Sequence, residues 1–108
     1  MGTQQVDVFH AVADVTRRAI LDHLRQGAQP VHEIARAFPV SRPAISKHLR
    51  VLYDANLVRE ERLGRQRMYH LNPEPLRDLD RWLETYRNFW SMNLANLKRH
   101  LEKKEFKQ

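Results

Sequence analysis

The chain contains no cysteine among its 108 residues. This absence excludes disulfide bonds, thiolate metal ligands and a cysteine nucleophile, and with them the small secreted modules that disulfides hold together. No apolar run approaches the ~18 residues that a membrane-spanning helix needs. The first residues, MGTQQVDVF, have neither the basic nor the apolar segment of a signal peptide. The sequence therefore predicts a soluble protein of the cytoplasm.

Sequence patterns of enzymes and cofactor sites are also missing. Glycine occurs only three times, and no glycine-rich phosphate loop or Ser-His-Asp order is recognisable. None of the six histidines forms an HxxxH or HExxH pair, so we interpret them as ordinary surface or interface residues rather than as a metal or pH switch. We expect no catalysis, no metal and no cofactor.

Positive charge is concentrated in one internal block and one tail. The net charge is +6, and residues 41–67 contain seven Arg and Lys against three acidic residues. Residues 98–108 contain five against two, whereas residues 1–40 are balanced at four and four. Because a basic block that also contains a structured motif is typical of a polyanion site, we expect a nucleic-acid partner.

The first half of the chain has the apolar spacing of short helices. A stretch that ends near Ala13 is followed by VTRRAILDHLRQ, which Asp14 caps and Gly27 ends. Its inward residues are Ile20, Leu21 and Leu24. A third helix, VHEIARAF, is predicted to turn Ile34, Ala35 and Phe38 inward.

Two arginines begin the second helix, where their charge opposes the helix dipole. The sequence leaves open whether Arg17 and Arg18 pair with an acid or reach a phosphate, and it favours a structural role.

The segment SRPAISKHLRVL, residues 41–52, combines an apolar face with a basic one. Ser41 can cap this helix, and proline is tolerated in its first turn. At 100° per residue, Ile45, Leu49 and Leu52 share one face. The opposite face carries short polar and cationic side chains, which suit a recognition helix in the major groove of DNA: Pro43, Ser46, Lys47 and Arg50.

A basic hairpin is predicted directly after this helix. The strand-like runs LVREERL and QRMYHL flank Gly64-Arg65, a pair that suits a type II′ turn. The tip carries Arg62, Arg65, Gln66 and Arg67. Helix, turn, helix and basic hairpin in this order predict an α+β, mostly α fold, the winged helix-turn-helix, with five helices and one β-hairpin wing.

The last helix is predicted to be too long for one small domain to cover. From Pro75 to about Lys104 there is no further proline or glycine, and leucines and aromatics recur at steps of three and four. Such a helix is roughly 45 Å long. We therefore expect a homodimer. The predicted interface residues on this helix are Leu79, Trp82, Leu83, Tyr86, Phe89, Trp90, Leu94 and Leu97.

The chain resembles the ArsR-type winged helix-turn-helix repressors. The resemblance rests on ADVTRRAILDHL, HEIARAFPVSRPAISKHLRVLYDANLV and REERLGRQRMYHLNPEPL, and covers about residues 8–76. The tail, YRNFWSMNLANLKRHLE, is similar to a cysteine-free branch that includes small autorepressors. The family implies a homodimer joined through its first and last helices, which adds Val6 and Phe9 to the interface, and an imperfect inverted repeat in double-stranded promoter DNA as the target.

The resemblance also implies which residues face DNA. These are Ser41, Arg42, Pro43, Ser46, Lys47 and His48 in the recognition helix and Arg62, Arg65 and Arg67 in the wing. Our own interpretation of the helix face and hairpin tip adds Arg50 and Gln66. Along one domain of residues 1–108, we assign 1–13 and 75–104 to dimerisation, 31–55 to the helix-turn-helix and 57–71 to the wing.

The sequence departs from the metal-sensing members of the family. Pro30 and His32 stand where those members often carry two cysteines, and the positions of the other family ligands hold Arg87, Phe89 and Lys103. We therefore predict a sequence-specific homodimeric repressor without a metal. Two alternatives stay open: a ligand- or metal-responsive repressor whose effector site is the aromatic cluster of the last helix, and a winged helix used for protein contacts.

Overall fold

The computed structural model describes residues 7–106, with the side chains of residues 7–103. These residues fall into two compact units, of which the first ends at Arg77 and the second begins at Asp78. The described part contains five α-helices: α1 (Val8–Ala11), α2 (Val15–Leu24), α3 (Val31–Arg36), α4 (Arg42–Asp54) and α5 (Leu76–Phe106). It also contains three strands: β1 (Gln29–Pro30), β2 (Val58–Leu63) and β3 (Gln66–Leu71).

Side-chain caps fix where three of the helices begin. The Oδ1 atom of Asp7 accepts a hydrogen bond from the Phe9 amide at 2.9 Å, at the start of α1. Asp14 Oδ2 accepts from the Arg17 amide at 3.0 Å and caps α2. Ser41 Oγ accepts from the Ala44 amide at 3.2 Å and caps α4. The caps predicted at Asp14 and Ser41 are thus confirmed.

The end of α4 is closed by a Schellman motif that the sequence analysis did not predict. Asn56 adopts a left-handed conformation, with φ 62°. Its amide donates to the Tyr53 carbonyl at 2.9 Å, and the Leu57 amide donates to the Leu52 carbonyl at 2.9 Å. The Leu57 carbonyl in turn accepts from the Asn72 amide at 2.8 Å, so the end of α4 is tied to the end of β3.

The predicted hairpin is present, with its turn where the sequence placed it. Antiparallel pairing runs from Val58↔Leu71 to Leu63↔Gln66, which leaves Gly64-Arg65 as a two-residue loop. Gly64 has a φ of 62°, while Arg65 has no positive φ. A positive φ at the first loop position alone agrees with the type II′ turn.

The short strand β1 is an addition to the predicted architecture. Gln29 pairs with Tyr69 and Pro30 with Met68, which gives a three-stranded antiparallel sheet in the order β1-β3-β2. Pro30 also occupies the N-cap position of α3 and supplies no side-chain cap. Pairing with β3 therefore holds the start of α3 in place of a cap.

The core of the first unit consists of the apolar faces of α2, α3 and α4 and the inner end of the hairpin. Every aliphatic residue predicted to point inward on α2 and α4 is buried, as is Ile34 on α3. Ala35 and Phe38 are half-buried. The fully buried large side chains are Ile20, Ile34, Ile45, Leu49, Leu52, Leu57 and Val58.

The described part of the second unit lies entirely within helix α5. Helix α5 has 31 residues, or roughly 46 Å at 1.5 Å per residue, which confirms the long uninterrupted helix that the sequence predicted. Within residues 7–106, no helix combines the length and the apolar character that crossing a membrane requires.

Asp14 gives the first unit an acid-sensitive helix cap. The hydrogen bond from the Arg17 amide, with the nearby charges of His48 and Arg17, holds the pKa of the Asp14 carboxyl below its ordinary value. A carboxyl with a lowered folded-state pKa contributes stability above its unfolded pKa of about 3.9, and this contribution is lost as the pH falls through the folded value.

We expect Asp14→Ala to lower the free energy of unfolding by about 1 kcal/mol at pH 7, because it removes the cap. Asp14→Asn keeps a cap but removes the charge. The difference in free energy of unfolding between this variant and the natural protein should therefore shrink as the pH falls from 5 to 2. Urea unfolding at a fixed protein concentration across this range measures both. A difference for Asp14→Asn that stays constant over the whole range would show that the ionised carboxylate does not stabilise this helix start.

Candidate nucleic-acid interface

The outer face of α4 presents the polar residues that the helical wheel predicted. Ser41, Arg42, Pro43, Ser46, Lys47 and Arg50 are exposed. Ile45 and Leu49, between them in the sequence, are 0% and 1% exposed. The rotation of α4 about its own axis is therefore set by apolar burial, and its polar face points to solvent.

The fold brings this face and the wing together in two hollows. The larger, of about 410 Å³, will be called the helix–wing groove. It is lined by Val31, Ser46, Lys47, Leu49, Arg50, Tyr53, Glu60, Arg67 and Tyr69. The smaller, of about 220 Å³, is lined by Pro30, Val31, His32, Arg42, Arg65, Gln66 and Arg67. Predicted site residues from two separate segments thus share one surface.

Several cations of this surface have no partner in the described part of the chain. Arg42, Lys47, Arg62 and Arg65 form no ion pair with any residue among 7–103. Arg50 Nε lies 3.3 Å from Asp54 Oδ1, and Arg67 Nη1 lies 3.9 Å from Glu60 Oε1. Unpaired cations on a rigid helix and a hairpin tip are suited to neutralising phosphates.

The structure does not bring His48 to this surface. Its side chain is 22% exposed, and its Nδ1 atom lies 3.4 Å from Arg17 Nη1 and 3.9 Å from Asp14 Oδ2. The ring thus faces the start of α2 rather than solvent on the polar face of α4. Its contacts suit a residue that positions α4, rather than the DNA-facing residue that the resemblance implied.

Arg17 is a structural residue whose partners the sequence did not reveal. Its Nε donates to the Ala11 carbonyl at 2.7 Å and its Nη2 to the His10 carbonyl at 3.1 Å, while Nη1 meets His48. One guanidinium therefore joins the end of α1, the start of α2 and α4. Arg18 Nη1 donates to the Val12 carbonyl at 2.7 Å. Both arginines serve the structural role that the sequence favoured, with backbone carbonyls as partners.

The first-helix part of the predicted dimer interface is only partly described. Val6 lies outside the described residues. Phe9, in α1, is 38% exposed.

The last helix keeps most of its predicted interface residues exposed. Leu79 and Leu83 are half-buried. The other six are between 43% and 66% exposed: Trp82, Tyr86, Phe89, Trp90, Leu94 and Leu97. The rings of Trp82 and Tyr86 meet edge to face at 5.3 Å, and those of Tyr86 and Trp90 lie 6.4 Å apart. These side chains form an aromatic and aliphatic face along α5.

No metal centre is assembled among the described side chains. Within residues 7–103 there is no group of three or more His, Asp or Glu side chains that could hold an ion. His32 Nε2 lies 3.6 Å from Glu33 Oε1, and Pro30, its neighbour in the smaller hollow, offers no ligand.

Comparisons with known proteins all point to one family of the chain. Residues 14–60 match the model of the family described as bacterial regulatory protein, arsR family. The chain is 45% identical over 91 residues to the HTH-type transcriptional regulator Rv2034 of Mycobacterium tuberculosis, which covers 81% of this chain and 78% of that protein. It is 39% identical over 82 residues to the transcriptional repressor SdpR of Bacillus subtilis, which covers 76% of this chain and 91% of that protein.

A solved structure supports the same family. The solution structure of the homodimeric winged helix-turn-helix DNA-binding domain of Mb0332 from Mycobacterium bovis, a possible ArsR-family transcriptional regulator, is similar with a TM-score of 0.61 and 30% identity, over 75% of each chain. The predicted winged helix-turn-helix fold is confirmed. The relatives are named as regulators, in agreement with the prediction that the chain is not an enzyme. By sequence and by fold, the chain belongs to the arsR family of bacterial regulatory proteins.

Proposed function

We propose that the chain is a homodimeric transcriptional repressor of the cytoplasm that binds an inverted repeat in double-stranded promoter DNA. The observation that carries this proposal is the single exposed surface on which the polar face of α4 and the arginine-bearing tip of the wing meet. A relative that is 39% identical is named a transcriptional repressor, which supports the direction of the effect.

The exposed residues divide into base-reading and phosphate-binding groups by their position and chemistry. We assign Arg42 and Ser46, near the start of α4, to the major groove, where arginine pairs bidentately with guanine. Ser41 and Pro43 allow a close approach at the same end of the helix. The phosphate-binding group consists of Lys47, Arg50, Arg62, Arg65 and Arg67, with Gln66 beside them at the wing tip.

The exposed apolar face of α5 supports a dimer. A row of exposed aromatics and leucines over several helical turns is a contiguous apolar surface of the kind that marks a protein–protein contact. A structural neighbour with 30% identity is described as homodimeric. We infer that residues 1–13 and 75–104 form the interface with a second copy, while 31–55 and 57–71 bind DNA. Two-fold symmetry then makes the operator an inverted repeat.

Selection from a pool of random DNA duplexes tests the function directly. We expect an inverted repeat whose half-sites are about 34–36 Å apart to be enriched, because each copy of α4 enters one major groove. Gel shifts of the selected duplex against a shuffled duplex of the same composition, at increasing salt, then measure specific and non-specific affinity. Equal affinity for the two duplexes would contradict the proposed function.

Arg42→Ala and Arg65→Ala form a matched pair, since each removes one unpaired arginine from the smaller hollow. We expect Arg42→Ala to weaken binding of the selected duplex by about 1–3 kcal/mol and to relax preference at one base pair in each half-site. Arg65→Ala should weaken both duplexes alike and reduce the slope of log K against log salt by about 0.9 for each subunit.

Titrations of single-base variants of the selected duplex at several salt concentrations separate the two roles. If Arg42→Ala weakened every base variant equally, Arg42 would be a phosphate contact. An unchanged salt slope for Arg65→Ala would show that the wing tip does not contact DNA phosphates.

Leu94→Glu is expected to convert the dimer into a monomer. It places a charge on the exposed apolar face of α5, where burial in an interface would leave the carboxylate without water or a partner. Asn96→Glu is the matched control, because residue 96 lies nearly opposite residue 94 on the helix. Light scattering of size-separated samples reports the mass. Two monomers, or two dimers, from these variants would rule out this face as the interface.

A further inference from the structure

The helix–wing groove contains one carboxylate among its cations. Lys47, Arg50 and Arg67 line this groove together with Glu60 of β2. Because the groove belongs to the proposed DNA-binding surface, a carboxylate there opposes the phosphates that the neighbouring cations attract. A negative charge at this point lowers the affinity for DNA, so its presence needs another physical explanation.

The fold holds the Glu60 carboxylate in one place. Tyr69 lies directly opposite Glu60 in the hairpin register, and its hydroxyl donates to Glu60 Oε2 at 3.1 Å. Tyr69 is only 8% exposed. Burial, followed by the charge of Glu60, raises the pKa of the Tyr69 hydroxyl, so this group remains a proton donor at neutral pH. The Glu60 carboxylate is thus anchored by a hydrogen bond from a buried tyrosine.

The other carboxylate oxygen faces a cation of the wing. Glu60 Oε1 lies 3.9 Å from Arg67 Nη1, and the Glu60 side chain is 33% exposed. Arg67 is 59% exposed, so without this neighbour its guanidinium would have freedom to reach phosphates in many geometries. Tyr69, Glu60 and Arg67 form a chain that runs from the core to the rim of the groove.

We propose that Glu60 is a specificity-determining residue of the DNA interface, which positions Arg67 and penalises phosphates that enter the helix–wing groove out of register. This inference rests on the proposed function. Binding to DNA of arbitrary sequence depends almost wholly on phosphate attraction, so Glu60 opposes it fully. At the operator, base contacts by α4 fix the register, and a pre-positioned Arg67 loses less conformational entropy on binding. Glu60 therefore weakens non-specific binding more than specific binding.

The neighbouring residue Glu61 provides a matched control. It lies on the same strand with the same charge, but successive strand residues point to opposite faces of a sheet. Its Oε1 atom lies 2.7 Å from Nε2 of His70 on the other face of the hairpin. Glu60→Gln and Glu61→Gln thus change the net charge equally, and only the first changes the charge of the groove.

The experiment compares these variants with the natural protein on the selected duplex and on the shuffled duplex, over a range of salt. Glu60→Gln should tighten binding to the shuffled duplex by about twofold to fivefold, the scale of one exposed charge pair, and tighten binding to the selected duplex less or not at all. Its salt slope on the shuffled duplex should steepen by up to about 0.9 for each subunit. Glu61→Gln should leave the ratio of the two affinities unchanged.

Tyr69→Phe separates the position of the carboxylate from its charge. It keeps the Glu60 side chain but removes the hydrogen bond that anchors it, so we expect weaker binding to the selected duplex with no gain on the shuffled one. Thermal unfolding of each variant verifies that it is folded before binding is compared.

The outcomes distinguish this inference from the proposed function. If the natural protein does not prefer the selected duplex, the proposed function fails and this inference fails with it. If the natural protein shows the preference but Glu60→Gln and Glu61→Gln change both affinities alike, the function stands and Glu60 contributes only net charge.

Discussion

The burial of one face of α4 is the constraint on which the candidate site depends. Ile45 and Leu52 are 0% exposed and Leu49 is 1% exposed, so three aliphatic side chains are removed from water along one stripe. At about 1.5–3 kcal/mol for each fully buried aliphatic, they far outweigh any preference of the polar residues for a different orientation. A rotation by one residue would bury Ser46 at a position that now holds Ile45. The orientation of the polar face of α4 is therefore a consequence of the core.

The position of α4 in the domain is fixed by polar contacts at its C-terminal end and along the side that faces α2. At its end, the left-handed Asn56 turns the chain into β2, and the Leu57 carbonyl binds the Asn72 amide. On the side that faces α2, His48 meets the Arg17 guanidinium, whose other nitrogens bind carbonyls at the end of α1. These carbonyls lie in the last turn of α1, so a cation there adds hydrogen bonds to them and complements the helix dipole. In the proposed dimer, the same guanidinium connects a dimerisation segment to the reading helix.

Local signals predicted the parts of the fold whose cause lies within a few residues of the chain. The spacing of Ile45, Leu49 and Leu52 predicted the buried face of α4, and Ser41 and Gly64 predicted its cap and the hairpin turn. The strand β1 was missed because two residues, one of them proline, show no alternation and gain their pairing only from β3. His48 lies close to the buried stripe on the helical wheel, so the wheel alone did not separate an inward contact from an outward one. The partner that decides its role, Arg17, lies 31 positions away in the sequence.

The candidate site follows the same division. Which residues are basic, and that they belong to a helix and a hairpin tip, is evident from the sequence. Which of these cations lack an acidic partner is not evident from the sequence, because the partners are residues that only the fold brings close. Arg67 and Glu60 are seven residues apart on different strands, and antiparallel pairing brings them to one face. The groove in which they meet forms only when α4 packs beside the hairpin.

Net charge alone therefore says little about where this protein attracts DNA. Three arginines outside the site have acidic partners close by: Arg77 with Glu74, Arg81 with Asp78, and Arg87 with Asp80. Arg42, Lys47, Arg62 and Arg65 have none among the described residues, so α4 and the wing tip present uncancelled positive charge to solvent. Ion pairs at those three arginines lower the attraction of DNA to surfaces outside the proposed interface. Glu60 extends this principle into the site itself, because an acid among cations limits the geometries in which a phosphate is accepted. Selectivity in such a small protein is then a matter of where charge is cancelled as much as of where it is placed.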